Sequence, residues 1–220
     1  MPIRKTVFAP GEYYHVYNRG VHKRKIFLDE RDHVRFLFLV IYFQSLETSK
    51  NLSRQVSYFI KHRKFNVGVE DTESFLKTRV VELAGFALMP NHFHLLVKEN
   101  EIAGVSRYLQ RLLNAYTKYF NTKYKLSGHL FQGPFKAVHI MDNEQLLYAS
   151  AYIHRNPREI KNWRDKDHCY PWSSFQDYVR GNRWGDMLAN QIISGQFLDG
   201  ADYHEWVVAS GAKNQYDFIE

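Results

Sequence analysis

His92, Phe93 and His94 stand in the stretch ALMPNHFHLLVKEN (87–100), directly after the turn-forming pair Pro90-Asn91. In an extended strand, residues two apart point to the same side, so the two imidazoles share one face while Phe93 points to the other. Neutral imidazoles held together can ligate one divalent cation such as Mn²⁺ or Zn²⁺. They are also at home as half-buried side chains in ordinary hydrogen bonds, and the H-x-H spacing does not separate the two readings. A second stretch, YIHRNP, sets Tyr152 and Asn156 four residues apart, neighbours on one face of a helix. There the Asn156 amide oxygen can add a ligand, and the Tyr152 phenol can stand beside it as a nucleophile. The alternative is structural: a core tyrosine, and an asparagine that ends the helix before Pro157. Tyr148, one turn earlier, is the rival phenol and ranks second because only Tyr152 has the amide four residues on.

These residues need elements to hold them. EYYHVYNRG (12–20) alternates and reads as a strand ending at Gly20. Asp29 opens DERDHVRFLFLVIYFQSL, a helix with an acidic first turn. RVVELAGFALM (79–89) and HFHLLVKE (92–99) are two strands joined by a tight turn at Pro90-Asn91. VSRYLQRLLNAYTKYFNTKY (105–124) has helical spacing, with Ser106 the expected N-cap. GHLFQGPFKAVHIM is a turn leading into a strand, after which Asp142 or Asn143 caps a helix that Pro157 ends. The order strand–helix–strand–strand–helix–strand–helix predicts an α+β fold, a ferredoxin-like antiparallel sheet with helices packed on one face. Residues 47–78 are more polar and less regular, an expected insertion with KHRK as a solvated face.

Composition bounds the function. With 220 residues, 45% hydrophobic and 16% aromatic, the chain is a folded globular protein and not a disordered one. Its 30 Lys+Arg against 23 Asp+Glu give +7, which favours a polyanionic partner. The lone Cys169 makes no internal disulfide and has no assigned role, which fits a reducing compartment. The first residues lack the apolar core of a signal peptide. The run FLFLVIYF (36–43) is far short of the roughly 20 residues that span a bilayer. The expected location is therefore the cytoplasm, with no membrane partner.

Cations cluster in two places. The loop NRGVHKRK carries Arg19, Lys23, Arg24 and Lys25 close to Tyr14 and Tyr17, a mixture suited to single strands because bases stack on aromatic rings. Arg107, Arg111 and Lys118 recur at helical spacing, a stripe that tracks phosphates or is simply a solvated face. Lys136 and Arg155 are lesser candidates. In YPWSSFQDYVRGNRW, Trp172, Phe175 and Tyr178 are expected to cover the core. His15 and His139, on predicted strands, are expected to be structural histidines near the site.

Taken together, YHVYNRG, ALMPNHFHLLVK, RLLNAYTKYFN, GHLFQGPFKA, YIHRNP and YPWSS resemble the REP-associated tyrosine transposases, of the single-tyrosine HUH superfamily and IS200-like family, in the family's order over roughly residues 12–175. The resemblance implies a catalytic domain of the HUH endonuclease fold over 1–160 and a C-terminal extension over 161–220, packed on it or appended. It implies a transesterase that cuts one strand of DNA near hairpin-forming palindromic repeats, as monomer or homodimer. His92 and His94 would bind Mg²⁺ or Mn²⁺ with Asn156 as third ligand. Tyr152 would attack the scissile phosphate, leaving a 5′-phosphotyrosine and a free 3′-hydroxyl. Two positions depart from the family: Pro134 stands where relatives usually have Arg, and REIKN follows NP where they usually read Val-Arg-Ala-Gly. Two other classes compete: a non-catalytic single-stranded nucleic-acid-binding module, and a nuclease whose nucleophile is metal-bound water.

Overall fold

The computed structural model describes residues 6–46, 51–65 and 69–212, with the backbone alone for 69–71. Residues 47–50 and 66–68 of the expected insertion, and 213–220 of the expected extension, lie outside the described residues.

Four strands, β1 (Tyr13–Arg19), β2 (Val81–Met89), β3 (His92–Glu99) and β4 (Lys136–Ile140), form one antiparallel sheet in the order β2-β3-β1-β4. Two helices make the crossovers, α1 (Glu30–Tyr42) between β1 and β2 and α4 (Gly104–Tyr124) between β3 and β4. This is the ferredoxin-like arrangement that the sequence predicts. Between α1 and β2 lie α2 (Leu52–His62) and α3 (Val69–Lys77), so the expected irregular insertion is largely helical. Val56 of α2 and Phe75 of α3 are buried in the main core, which explains why these turns are ordered despite their polar composition. The KHRK residues at 61–64 are exposed, as expected.

Alternation sorts the strand residues between two cores. Tyr14 and Val16 of β1, Phe93, Leu95 and Val97 of β3, and Phe86 and Leu88 of β2 face α1 and α4. The opposite face receives Leu96 and Ala87, and there α5 (Asn143–Arg155) packs together with the C-terminal chain. Helices thus cover both faces, whereas the element order alone called only for one. Asp29 caps α1 by accepting from the Asp32 amide at 2.9 Å, and Asp142 caps α5 by accepting from the Gln145 amide at 2.8 Å. Ser106 is not the cap of α4: the helix begins at Gly104, after Ala103 in the left-handed region. Glycine is needed there because a Cβ at 104 would sit 2.3 Å from the Val80 carbonyl oxygen.

After α5, a 3-10 turn (Asn156–Glu159) leads into short elements, α6 (Phe175–Val179), α7 (Gln191–Ser194) and α8 (Gly200–Ala209). This segment is fastened to the β2 edge by several bonds. Tyr170 and Tyr178 donate their hydroxyls to Leu88 and Ala84 carbonyls at 2.8 and 2.7 Å, and the Ser174 amide donates to the Phe86 carbonyl at 2.9 Å. An otherwise open sheet edge is thereby closed. Phe175 and Tyr178 are buried in the second core and Trp172 packs against the first.

Candidate active site

Cross-strand register builds the site. On the face covered by α5, β1 offers His15, Tyr17 and Arg19 while β3 offers His92, His94 and Leu96, with Arg19 opposite His92 and Tyr17 opposite His94. The α5 helix lies over them, so Tyr152 packs its ring against His94 and His15 with centroids 5.6 Å away in each case. Asn156, at the end of the same helix, brings Oδ1 to 3.4 Å from His92 Nε2. His92, His94, Tyr152 and Asn156 line one cavity of about 510 Å³.

The hydrogen bonds fix which atoms face which. The Asn156 amide nitrogen donates to the Tyr152 carbonyl at 2.8 Å, which turns its oxygen toward His92. The Asn91 amide nitrogen donates to the Lys23 carbonyl at 3.2 Å, so its Oδ1 accepts from His92 Nδ1 at 2.7 Å. A neutral His92 therefore aims its Nε2 lone pair at the Asn156 oxygen. Two acceptors facing one another are what a shared cation relieves. His94 turns Nδ1 to His15 Nε2 at 2.8 Å, leaving its own Nε2 edge for a ligand. Burial holds His94 well below the usual histidine range, helped by neighbouring His15 and His92, and burial pushes His15 down to about 3. These rings are neutral at physiological pH, as metal ligation requires. The donor set, two imidazoles and an amide oxygen, fits a divalent ion such as Mg²⁺ or Mn²⁺.

Cations gather around the cavity from β1, β4 and the loop that follows β1. Arg19, Lys23 and Lys136 line it, with Arg19 Nε donating to Gln132 at 3.1 Å and Lys136 Nζ lying 5.6 Å from the centre of the Tyr17 ring. The other expected DNA contacts lie elsewhere. Arg24 sits over the Phe120 ring at 5.3 Å, and Lys25 is exposed but does not line the cavity. Arg107 is paired with Glu101, and Arg111 donates to the Ser45 carbonyl at 2.7 Å while covering the Phe43 ring. With exposed Lys118 they belong to α4, on the far face of the sheet from His92 and His94. Arg155 donates to the Ser210 carbonyl. Tyr148 packs against Trp206 at 5.9 Å and does not line the cavity. His139 pairs with Glu12 at 2.9 Å near the surface.

Sequence reasoning did not single out Asn91, Gln132 or Glu159 as parts of this cavity, and it placed His15 only as a flanking structural residue. Asn91 directly precedes His92, whereas the proximity of His15, Gln132 and Glu159 depends on tertiary arrangement, which has no local signal. Pro134 also lines the cavity. A second grouping, Asp167, His168 and His204, brings three ligand atoms within 4.8 Å of one another. Its carboxylate is already held by Arg158 at 2.6 Å, and none of the three lines the cavity.

Residues 69–156 match the family model described as Transposase IS200 like; the matched segment contains all four converging residues. Among solved structures, the chain is similar to a REP-associated tyrosine transposase bound to a REP hairpin, at 16% identity over 82% of this chain and 87% of that one, with a TM-score of 0.51. At that identity the likeness speaks to the fold. A comparison with curated protein sequences found no match. No described helix is long and apolar enough to cross a membrane.

Proposed function

We propose, from the IS200-like transposase segment that this chain carries, that the protein is a metal-dependent single-stranded DNA transesterase that cuts and rejoins strands beside hairpin-forming repeats. The observation that carries the reading is the convergence of the two imidazoles and the Asn156 oxygen under the Tyr152 ring. A bare binding module has no use for that constellation, and the family relation supports transposase-like DNA processing.

In this scheme His92, His94 and Asn156 hold a divalent ion, which when bound polarises a phosphate oxygen and orients the phosphorus. Arg19, Lys23 and Lys136 take the flanking phosphates. Their positions around one cavity fix the backbone so that the scissile phosphorus meets the phenol. The Tyr152 oxygen then forms a bond to phosphorus while the bond from phosphorus to the 3′ oxygen breaks. The departing 3′ oxygen takes up a proton, the phenol gives one up, and the DNA 5′ end stays on Tyr152 as a phosphodiester. Because that linkage replaces one phosphodiester with another, a 3′-hydroxyl can attack it and restore a strand. Packing on α5 keeps the tyrosine in place through both halves.

The test is an incubation of the full chain with end-labelled hairpin oligonucleotides bearing single-stranded flanks, with Mn²⁺ or EDTA, resolved on a denaturing gel. A protein–DNA adduct that requires Mn²⁺ and disappears in Tyr152→Phe and in His94→Ala is expected. Cleavage that persists in Tyr152→Phe would move the attack to metal-bound water or to Tyr148. Binding without cleavage of any hairpin would leave a nucleic-acid-binding module. The same reading places the protein with hairpin DNA in the cytoplasm, as monomer or homodimer.

A further inference from the structure

We propose that His15 is a positioning residue for the metal site: it accepts a hydrogen bond from His94 Nδ1 and so presents the His94 Nε2 lone pair to the cavity. The inference rests on reading His92 and His94 as ligands.

Register creates the contact. His15 lies directly opposite Leu96 and diagonal to His94 on the same face of the β1–β3 ladder, a spacing that large side chains bridge. The two rings stack with centroids 5.0 Å apart, and Nε2 of His15 meets Nδ1 of His94 at 2.8 Å. His15 is 0% and His94 3% exposed, so water does not compete for this bond. Two neutral imidazoles share a single proton in such a pair. If His15 donates, His94 carries its own proton on Nε2 and cannot ligate. If His15 accepts, His94 is protonated on Nδ1 and Nε2 is a ligand. Only the second arrangement is compatible with the cavity site, and it requires the His15 proton to be on Nδ1. An apolar side chain would fill the space beside Tyr17 and Tyr152 at less desolvation cost. The burial of a hydrogen-bonding ring at this point is what an orienting partner explains. Histidine ligands whose second nitrogen is so held lose about 10- to 100-fold in metal affinity when the partner is removed.

The experiment measures Mn²⁺ binding to the full chain by calorimetry for wild type, His15→Leu, His15→Gln and His94→Ala, with thermal melts to establish folding. Long-range ¹H–¹⁵N spectra of the wild-type histidine rings accompany it. Expected are a loss of about 10- to 100-fold in affinity for His15→Leu, a smaller loss for His15→Gln, whose amide oxygen can still accept, and a His94 ring protonated on Nδ1. A folded His15→Leu with wild-type affinity, alongside a weakened His94→Ala, would overturn the role of His15 and leave the metal site standing. If His94→Ala also binds as wild type does, the site reading fails and this inference fails with it. Should His15→Leu not fold, the spectra decide: a His94 ring protonated on Nε2 in the wild type contradicts the proposal.

Discussion

Tyr148 and Tyr152 are one helical turn apart, yet their surroundings separate them: one packs against Trp206, the other against His94 at the cavity. The order in which the sequence ranked them rested on Asn156 alone, because the i,i+4 relation is local and can be read from spacing. The same is true of His92 and His94, which alternation places together. His15 was not legible as a partner because a strand's register with its neighbour leaves no mark in its own sequence, and the bond from His92 to its neighbour Asn91 depends on the side-chain conformation at the turn. Elsewhere, His33 is inserted between the Phe27 and Trp172 rings at 4.3 and 4.7 Å. Burial pushes it from 6.5 down to about 4. The unfolded chain therefore takes up this proton first as pH falls, so stability present above pH 6.5 is lost between about 6.5 and 4. In urea titrations across that range, His33→Phe should retain about 2 kcal/mol that the wild type loses, a value reduced for the ring's partial exposure. Parallel pH curves for the two proteins would contradict this.

At the scale of elements, boundaries followed local signals wherever caps were involved. Asp29 and Asp142 both accept the expected backbone amides. The start of α4 did not, because it is set by tertiary contact: Gly104 lies against Val80, and Ser106 is already inside the helix. Gly104→Ala should accordingly destabilise the fold by about 1–3 kcal/mol through overpacking against backbone, read as a lower urea midpoint with an unchanged slope. A neutral substitution would show that the strand and helix separate freely here. The helices α2 and α3 are not evident in the sequence because polar residues outnumber those that pack on the core, of which Val56 and Phe75 are the buried ones. Coverage of the second sheet face was likewise not implied by element order. It comes from α5 together with aromatic residues of the C-terminal chain, whose hydroxyls seek β2 carbonyls.

For the whole molecule, a charge of +7 says only that a polyanion is a suitable partner. The structure makes the distribution specific, with Arg19, Lys23 and Lys136 around the cavity and the α4 cations on the other side of the sheet. Lys136→Ala should therefore reduce the slope of log affinity for hairpin DNA against log salt by about 0.7, the value for one phosphate contact on a single strand. Lys118→Ala should leave that slope unchanged; the reverse pattern would place the DNA on α4. The proposed function turns on where the DNA becomes attached. The measurement that decides it is tandem mass spectrometry of the protein after reaction with a hairpin oligonucleotide in Mn²⁺ and digestion with nuclease and trypsin. Both candidate tyrosines fall in one peptide, so fragment masses assign the nucleotide directly. A nucleotide on Tyr152 is the predicted result; a nucleotide on Tyr148, or cleaved DNA with none on either tyrosine, would contradict it.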